Sequence, residues 1–356
     1  MHQAADGALA RVRLPAGIVT AEQLEALAQA ALRFGSPAME LTSRGNVQIR
    51  GINDTTAVAE AVAAAGLLPS STHERVRNIV ASPLSGRTGG RADVRGWVGA
   101  LDDAICAEPD LAALPGRFWF AIDDGRADVS GLRADVGAHV LGDHAALLLA
   151  GRDTGVRLSP ADVVPTLVSV AARFARLRGK AWRVAELSDT RPLLDGLAVS
   201  AARGTTWPVV TRPPVGWIHH EMNQRVTLGA ALPLGVLPAR TARFLATIGA
   251  PMVFTPWRSV LIFDLDEGVA DTALRVLAPL GLVFDQNSPW LNVSACTGSP
   301  GCQHAAADVR ADAAASLTTV GPHRHYVGCE RACGSPPAGQ VLVATGDGYR
   351  PLPAQP

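Results

Sequence analysis

Residues 14–17 read Leu-Pro-Ala-Gly and introduce the pattern that decides the fold. An apolar pattern of helical period follows over residues 21–34. A strand-like run then occupies residues 39–50 and reads Met-Glu-Leu-Thr-Ser-Arg-Gly-Asn-Val-Gln-Ile-Arg. This part of the chain therefore predicts a small unit in which a turn is followed by a helix and a strand.

The same order of features recurs in the second half of the chain. Residues 232–235 read Leu-Pro-Leu-Gly, a helix is predicted over residues 239–248, and a strand-like run covers residues 252–262. Matched positions lie 218, 213 and 214 residues apart in the pairs Leu14 and Leu232, Thr42 and Thr255, and Asn78 and Asn292. We therefore interpret the chain as an internal duplication.

Each repeat is expected to begin with a small βαβ-type unit and to continue into a larger mixed unit. In the first larger unit, strands are predicted over residues 118–122 and 136–141, and a helix over residues 160–177. Glycine and several prolines in residues 200–214 are typical of a linker. The predicted domains are residues 10–70, 71–205, 215–285 and 286–350.

The bulk composition narrows the class of protein. The 356 residues carry 32 basic and 32 acidic side chains, so no nucleic-acid or membrane-surface partner is expected. The first residues lack the apolar core of a signal peptide, and no apolar run approaches the length of a membrane span. A cytoplasmic location, where thiols stay reduced, is therefore expected. Lys180 is the only lysine, so an anion site would have to be built from arginine.

Four of the five cysteines are clustered in two pairs near the end of the chain. Five residues separate Cys296 from Cys302, and three separate Cys329 from Cys333. The wider spacing exceeds that of an ordinary zinc knuckle, and the surrounding glycines would let backbone N–H groups approach sulfur atoms. The pattern favours an iron–sulfur cluster, while zinc and an unrelated role stay open. Cys106 is expected to be a small buried side chain.

The two cysteine pairs, read with their neighbours, resemble the cluster signature of the sulfite and nitrite reductase superfamily. Residues 295–302 read Ala-Cys-Thr-Gly-Ser-Pro-Gly-Cys, and residues 328–334 read Gly-Cys-Glu-Arg-Ala-Cys-Gly. The resemblance implies a 4Fe–4S cluster, held in that superfamily beside a sirohaem. It also implies an internally duplicated α+β fold with two ferredoxin-like half-domains and two sirohaem-reductase-like α+β domains.

Three further stretches resemble the same superfamily and imply a site for a tetrapyrrole. Residues 41–51 resemble its first-repeat strand, residues 77–80 its Arg-Asn segment, and residues 114–120 its Leu-Pro-x-basic-Phe strand. Arginine suits such a ligand because it forms paired hydrogen bonds with carboxylates. Arg50 is a further candidate that could instead point outwards, since it shares a strand face with Gln48. The side chains implied to bind the tetrapyrrole are Arg44, Asn46, Gln48, Arg77, Asn78, Arg117 and Arg258.

Within the superfamily, three features point to the precorrin-3B synthase family. Trp119 stands where sulfite reductases carry a second lysine, and residues 254–258, Phe-Thr-Pro-Trp-Arg, resemble a segment of that family. Residues 114–125 resemble it too. The implied activity is an oxygen-dependent monooxygenase that converts precorrin-3A to precorrin-3B in aerobic cobalamin biosynthesis, by C20 hydroxylation and γ-lactone formation. The alternatives are a sirohaem-dependent ferredoxin sulfite or nitrite reductase, and a non-catalytic cluster or zinc protein.

The implied cofactors and partners follow from this resemblance. They are the 4Fe–4S cluster, a second non-haem iron, precorrin-3A and molecular oxygen; sirohaem belongs to the reductase alternative. No nucleotide-binding motif is present, so electrons are expected from an external ferredoxin or NAD(P)H-dependent reductase. The groupings at residues 219–221 and 323–325 are the nearest approach to an iron site, and neither is a clean motif. No catalytic residue is assigned.

Overall fold

The computed structural model describes residues 2–221 and 223–353. Its α-helices are α1 Ala21–Phe34, α2 Thr55–Ala64, α3 Arg95–Ala107, α4 Val163–Leu177, α5 Ala239–Thr247, α6 Glu267–Leu277 and α7 Val309–Ala315. Its strands are β1 His2–Ala4, β2 Gly7–Val12, β3 Ile18–Val19, β4 Ala38–Leu41, β5 Val47–Ile52, β6 Ile79–Ala81, β7 Phe120–Asp123, β8 Val136–Val140, β9 Ala145–Leu149, β10 Arg152–Leu158, β11 Gly216–His219, β12 Val226–Ala231, β13 Val236–Pro238, β14 Met252–Phe254, β15 Ser259–Leu265, β16 Val293–Ala295, β17 Arg324–Val327, β18 Gln340–Thr345 and β19 Gly348–Pro351.

The chain forms two compact units. One contains residues 13–17 and 68–210, and the other contains the remaining residues. The unit made of the remaining residues contains the small helix-and-strand unit of each repeat and the segment that carries the four clustered cysteines. Its sheets have the strand orders β1-β2-β5-β4-β13, β11-β12-β15-β14-β3 and β16-β17-β18-β19. The expected α+β duplication is therefore present in the backbone.

The two five-stranded sheets exchange their edge strands. β13, from the second repeat, pairs antiparallel with β4 of the first, and β3, from the first repeat, pairs antiparallel with β14 of the second. Helices α1 and α5, one from each repeat, pack against each other. Each repeat therefore supplies one edge strand to the sheet of the other. Because β3 and β13 are only two and three residues long, their own sequences could not predict this pairing.

The predicted strand over residues 39–50 is a hairpin instead. β4 and β5 pair antiparallel, with Glu40 opposite Gln48, and residues 42–46 form the turn between them. Gly45 adopts a positive φ of 69°, which glycine tolerates at little cost. The predicted run over residues 252–262 is likewise split into β14 and β15, with Arg258 at a φ of 58°. In both places the turn coincides largely with polar, glycine or proline residues, 42–46 and 255–258, which the prediction of a continuous strand overlooked.

Helix α1 has the predicted bounds, because local signals define both its start and its buried face. The Thr20 side chain accepts a hydrogen bond from the Gln23 N–H, while the Gln23 side chain accepts one from the Thr20 N–H. This capping box satisfies two N-terminal donors. Leu24, Leu27 and Ala31 recur at helical spacing and are fully buried.

The other unit contains one five-stranded sheet, in the order β10-β9-β8-β7-β6. β6, β7 and β8 are parallel, whereas the pairs β8 with β9 and β9 with β10 are antiparallel. Helices α3 and α4 pack together. Phe118 lies in the hydrophobic core, where its ring is within 5.2 Å of Phe120 and 5.0 Å of Phe174, measured between centroids.

In the described part of the chain, no helix combines the length and the apolar character needed to cross a bilayer.

Candidate metal centre

The four clustered cysteines lie beyond one edge of the sheet that contains β16 and β17. These strands are parallel, with Ala295 opposite Tyr326, so their carboxyl ends share an edge. Cys296 directly follows β16, and Cys329 follows β17 by two residues. The first cysteine of each pair is thereby brought to the same edge, although 33 positions separate them in the sequence.

Backbone hydrogen bonds tie the two cysteine loops to each other. Cys296 donates its N–H to the Tyr326 carbonyl at 2.9 Å, and Ala306 donates to the Gly328 carbonyl at 2.9 Å. Gly328 in turn donates its N–H to Cys296 Sγ at 3.3 Å. Such N–H donors stabilise a thiolate and tune the potential of a cluster bound by it. The two loops are therefore held together by backbone hydrogen bonds, one of which ends on the sulfur of Cys296.

Glycine at position 328 is required by close packing. A Cβ placed there would lie 2.4 Å from Ala305 Cβ, closer than carbon atoms can approach. Any side chain would push the two loops apart and lengthen the N–H contact with Cys296 Sγ. The glycine thus permits both the loop contact and the hydrogen bond.

The four thiols suit a group that bridges several metal ions. All four are thiols outside any disulfide bond, Cys333 is exposed, and the other three are half-buried. Within residues 2–221 and 223–353, no three His, Cys, Asp or Glu side chains converge on the position of a single metal ion. Each thiolate of a 4Fe–4S cubane binds a different iron, so such a cluster does not need that convergence. The donor set therefore fits the expected cluster.

Arg50 lies against the loop between Cys296 and Cys302. Its guanidinium donates to both carboxylate oxygens of Asp6 at 2.9 Å, and to the Gly301 carbonyl at 2.6 Å. Arg50, for which the sequence left an outward orientation open, thus contacts the cysteine loop directly.

Arg258 contacts the other cysteine loop. Its Nη2 donates to the Gly334 carbonyl at 2.9 Å, next to Cys333. Burial, reinforced by the nearby positive charge of Arg310, lowers the pKa of Arg258 to about 10. The guanidinium remains protonated at neutral pH. In this structure it therefore places a positive charge beside the cysteines.

Gln48 and Arg11 form a second polar pair near the cysteines. Arg11 Nε donates to Gln48 Oε1 at 2.9 Å, and Gln48 Nε2 donates to Glu40 Oε2 at 3.4 Å. Burial lowers the pKa of Arg11, and electrostatic interaction with Cys333 opposes this shift. Arg11 was not predicted from the sequence, since only its register opposite Gln48 on β5 reveals it.

Arg44 and Asn46 lie in the turn between β4 and β5. The backbone N–H groups of both donate to Thr42 Oγ1, at 3.3 and 3.1 Å. Asn46 is buried, whereas Arg44 is half-exposed. The turn thus fixes the backbone at both positions, and the role of their side chains in tetrapyrrole binding stays a prediction.

In the other unit, two predicted site residues have structural partners. Arg77 is buried and donates to both oxygens of Asp102 at 2.7 Å, with Glu74 at 3.3 Å. These carboxylates raise the pKa of Arg77 against the opposing effect of burial. The amide of Asn78 donates to the carbonyl groups of Arg75, Gly116 and Phe118. Their tetrapyrrole contacts stay predictions.

The remaining predicted residue of that unit, Arg117, is exposed. Its guanidinium carbon lies 5.9 Å from the ring centroid of Trp182, which is also exposed. Trp119, by contrast, is buried, and its backbone N–H donates to Asp135 Oδ2 at 3.0 Å. The position at which sulfite reductases carry a second lysine is therefore occupied by a core residue.

One histidine of each grouping is held within the fold by hydrogen bonds. His325 is fully buried and donates from Nε2 to the Cys333 carbonyl at 3.0 Å, while its Nδ1 lies 2.7 Å from Ser294 Oγ. Burial lowers the pKa of His325 to about 3, so it is neutral. His220 is buried beside Thr227 at 2.8 Å. Both imidazoles serve as hydrogen-bonding groups of the fold.

Comparison with known proteins relates this architecture to a known domain family and to a solved structure. A profile of the nitrite/sulfite reductase ferredoxin-like half domain matches residues 2–65. A structure of the NirA protein of Mycobacterium tuberculosis superimposes with a TM-score of 0.78 at 21% identity, over 96% of this chain and 73% of that one. The expected fold is thereby confirmed.

Two curated relatives refine the assignment. A ferredoxin–nitrite reductase of Synechococcus elongatus is 37% identical over 127 residues, which are 33% of this chain and 25% of that protein. The similarity to this reductase thus spans only a quarter of its length. A precorrin-3B synthase of a Sinorhizobium species is 28% identical over 98% of this chain and 79% of its own length. These similarities support the resemblance to the sulfite and nitrite reductase superfamily, and the similarity to the precorrin-3B synthase extends over 98% of this chain.

Proposed function

We propose that the protein is an oxygen-dependent monooxygenase that converts precorrin-3A to precorrin-3B. The observation that carries this proposal is the similarity to a precorrin-3B synthase over 98% of the chain, whereas the match to the nitrite reductase covers 33%. Burial of Trp119 supports it, because a basic side chain for a small oxyanion is missing at that position.

The chemistry requires a ring bearing many carboxylates to be held in one orientation. Arginine side chains bind carboxylates with paired, charge-assisted hydrogen bonds. Of the predicted binding residues, Arg117 is exposed and Arg44 is half-exposed. They would anchor acidic substituents of the substrate, while backbone contacts hold the turn that carries Arg44 in place.

The cysteine loops would hold the 4Fe–4S cluster through Cys296, Cys302, Cys329 and Cys333. When bound, the cluster supplies electrons one at a time. In the overall reaction, one oxygen atom enters the product and the other leaves as water, with two electrons and two protons from an external donor. The chain's own contribution is to hold the thiolates, with Gly328 donating to sulfur and Arg258 adding positive charge nearby.

The deciding experiment is a single-turnover reaction under controlled oxygen. Protein reconstituted anaerobically with iron and sulfide is mixed with precorrin-3A, a chemical reductant and ¹⁸O₂. Mass spectrometry should then detect a hydroxylactone that has gained one labelled oxygen atom. Unchanged precorrin-3A in the presence of an intact, reduced cluster would overturn the proposal.

The same preparation discriminates against the reductase alternative. A sirohaem reductase should purify with tight Soret and α bands and should reduce sulfite or nitrite with a reduced dye. The proposed monooxygenase should show only the broad absorption of the cluster. Metal analysis that finds zinc without sulfide would instead support a non-catalytic protein.

A further inference from the structure

The carboxylate of Glu40 lies at the centre of a polar network that reaches the first cysteine loop. Glu40 is a largely buried residue of β4. Its Oε1 accepts a hydrogen bond from Arg310 Nη2 at 2.7 Å. Its Oε2 accepts one from Thr297 Oγ1 at 3.2 Å, and Thr297 directly follows Cys296. A buried acid of the first repeat is thus bonded to a residue next to a predicted cluster ligand.

The neighbouring strand holds the other end of the same loop. Arg50 of β5 donates to the Gly301 carbonyl, next to Cys302, and lies 3.8 Å from Glu40 Oε1. The five residues between Cys296 and Cys302 are therefore attached at both ends, by Glu40 at Thr297 and by Arg50 at Gly301. Two adjacent strands of the first repeat form a clamp on a loop of the second.

The charge of Glu40 is unusual in its surroundings. Four arginines surround it: Arg310 and Arg50 contact Glu40 directly, and Arg258 and Arg11 interact with it electrostatically. Two further carboxylates at the loops, Asp6 paired with Arg50 and Glu330 between the second pair of cysteines, are more exposed than Glu40. Hydrogen bonds, net charge and exposure set the reduction potential of an iron–sulfur cluster. One buried negative charge among four arginines therefore opposes the gain of an electron nearby.

We propose that Glu40 is a positioning residue of the cluster site: it fixes Thr297, and with it the loop from Cys296 to Cys302, and its negative charge lowers the cluster's reduction potential. This inference rests on the proposed cluster but not on the monooxygenase reaction. The step concerned is the one-electron reduction of the bound cluster by a chemical reductant. Neither the cysteine motif nor the tetrapyrrole-binding residues assign a role to Glu40.

The electrostatic part is tested with Glu40→Gln in the reconstituted full-length protein. A redox titration followed by electron paramagnetic resonance measures the potential. Loss of the negative charge should favour reduction at least tenfold, which corresponds to a positive shift of about 59 mV for one electron. The matched control is Glu60→Gln, which removes an exposed carboxylate on α2 and should leave the potential unchanged.

The positional part is tested in the metal-free protein by the rate at which iodoacetamide alkylates Cys302. Thr297→Val keeps the shape of the side chain and removes its hydroxyl group. Both Thr297→Val and Glu40→Ala, which removes the acceptor that a glutamine would keep, should loosen the loop and speed alkylation, whereas Glu60→Gln should not. Unchanged alkylation in both clamp variants would overturn the positioning role.

The outcomes separate the two proposals. If the wild-type protein takes up no cluster, the proposed function fails, and the alkylation rates still decide whether Glu40 holds the loop. If the cluster forms and Glu40→Gln has the wild-type potential, the electrostatic inference fails while the proposed function stands. If Glu40→Gln loses its cluster, the reduction potential of Glu40→Asp, which keeps the charge, is measured instead. A wild-type potential in Glu40→Asp supports the inference, and a raised potential overturns it.

Discussion

Gly328 donates its backbone N–H to the sulfur of Cys296 across the two cysteine loops, at 3.3 Å. The contact exists because β16 and β17 are parallel and end at the same edge. It links the two pairs of predicted ligands before any metal is bound. A change at Gly328 should therefore affect both pairs at once.

Gly328→Ala should reduce iron and sulfide incorporation several-fold, because its Cβ would lie 2.4 Å from Ala305 Cβ. Gly346→Ala is the matched control, since a Cβ there meets nothing within 4 Å and the site lies just beyond β18. Iron and sulfide content per chain is the measurement. Equal contents in the two variants would show that the loop contact is dispensable.

Cys329→Ser should abolish the cluster absorption, because serine replaces one of the four thiolate ligands. Cys106→Ser should retain it, since Cys106 belongs to α3 in the other unit. Visible absorption and iron content distinguish the two variants. Wild-type iron in Cys329→Ser would contradict the ligand assignment.

Arg77→Ala should destabilise its unit by about 3–5 kcal/mol, the typical cost of breaking a buried ion pair. Asp102→Ala should have a similar effect, because the two side chains share two hydrogen bonds. Removal of the exposed pair partner Arg95 should cost less than about 1 kcal/mol. Denaturant unfolding gives all three values. A fully stable Arg77→Ala that no longer binds precorrin-3A would instead favour the tetrapyrrole role.

Arg117→Ala should weaken precorrin-3A binding while leaving the fold intact. Its contact with Trp182 is exposed, and such cation–π contacts contribute only about 0.5–1 kcal/mol. Arg176→Ala, in the same unit and paired with Asp110 on the surface, is the control. Calorimetric titration measures the affinity. An unchanged affinity in Arg117→Ala would remove this residue from the site.

Asp128→Asn should change how stability depends on pH. Burial raises the pKa of Asp128 to about 7, and the nearby charge of Asp123 reinforces the shift. Between the unfolded value near 3.8 and about 7, the folded state binds the extra proton, so the free energy of unfolding falls as pH rises. The contribution of this group is up to roughly 4 kcal/mol. In Asp128→Asn the free energy of unfolding should therefore no longer fall over this pH range. Unfolding curves of the variant and the wild type, measured at about pH 5 and pH 8, test this. Parallel pH dependence in the two proteins would argue against the raised pKa.

Local signals predicted the helices better than the strands. The capping box at Thr20 and the buried period of α1 define that helix from its own residues. The hairpin of β4 and β5 was predicted as one strand, because the polar residues 42–46, Thr-Ser-Arg-Gly-Asn, were not interpreted as the turn signal that they are. The exchange of β3 and β13 depends on pairing between distant segments, which no local pattern records.

The spacing of the four cysteines is a local signal in the sequence, whereas the residues that surround them carry no such signal. Glu40 lies 257 residues from Thr297 in the sequence, and Arg310 follows the cysteine loop without a distinguishing motif. The alternation along β5 gave a partial signal, since Gln48 and Arg50 share the face that contacts Glu40. Only the folded register joins these side chains into one network.

The exchanged edge strands bear on how such a chain could have arisen. A single repeat would leave the fifth strand of its sheet to be supplied from outside, because β13 completes the first sheet and β3 completes the second. An ancestral half-length polypeptide could have met that need by associating with an identical copy, each lending its short strand to the other. Gene fusion would then have converted a swapped homodimer into one polypeptide, after which only one half needed to keep its cysteines.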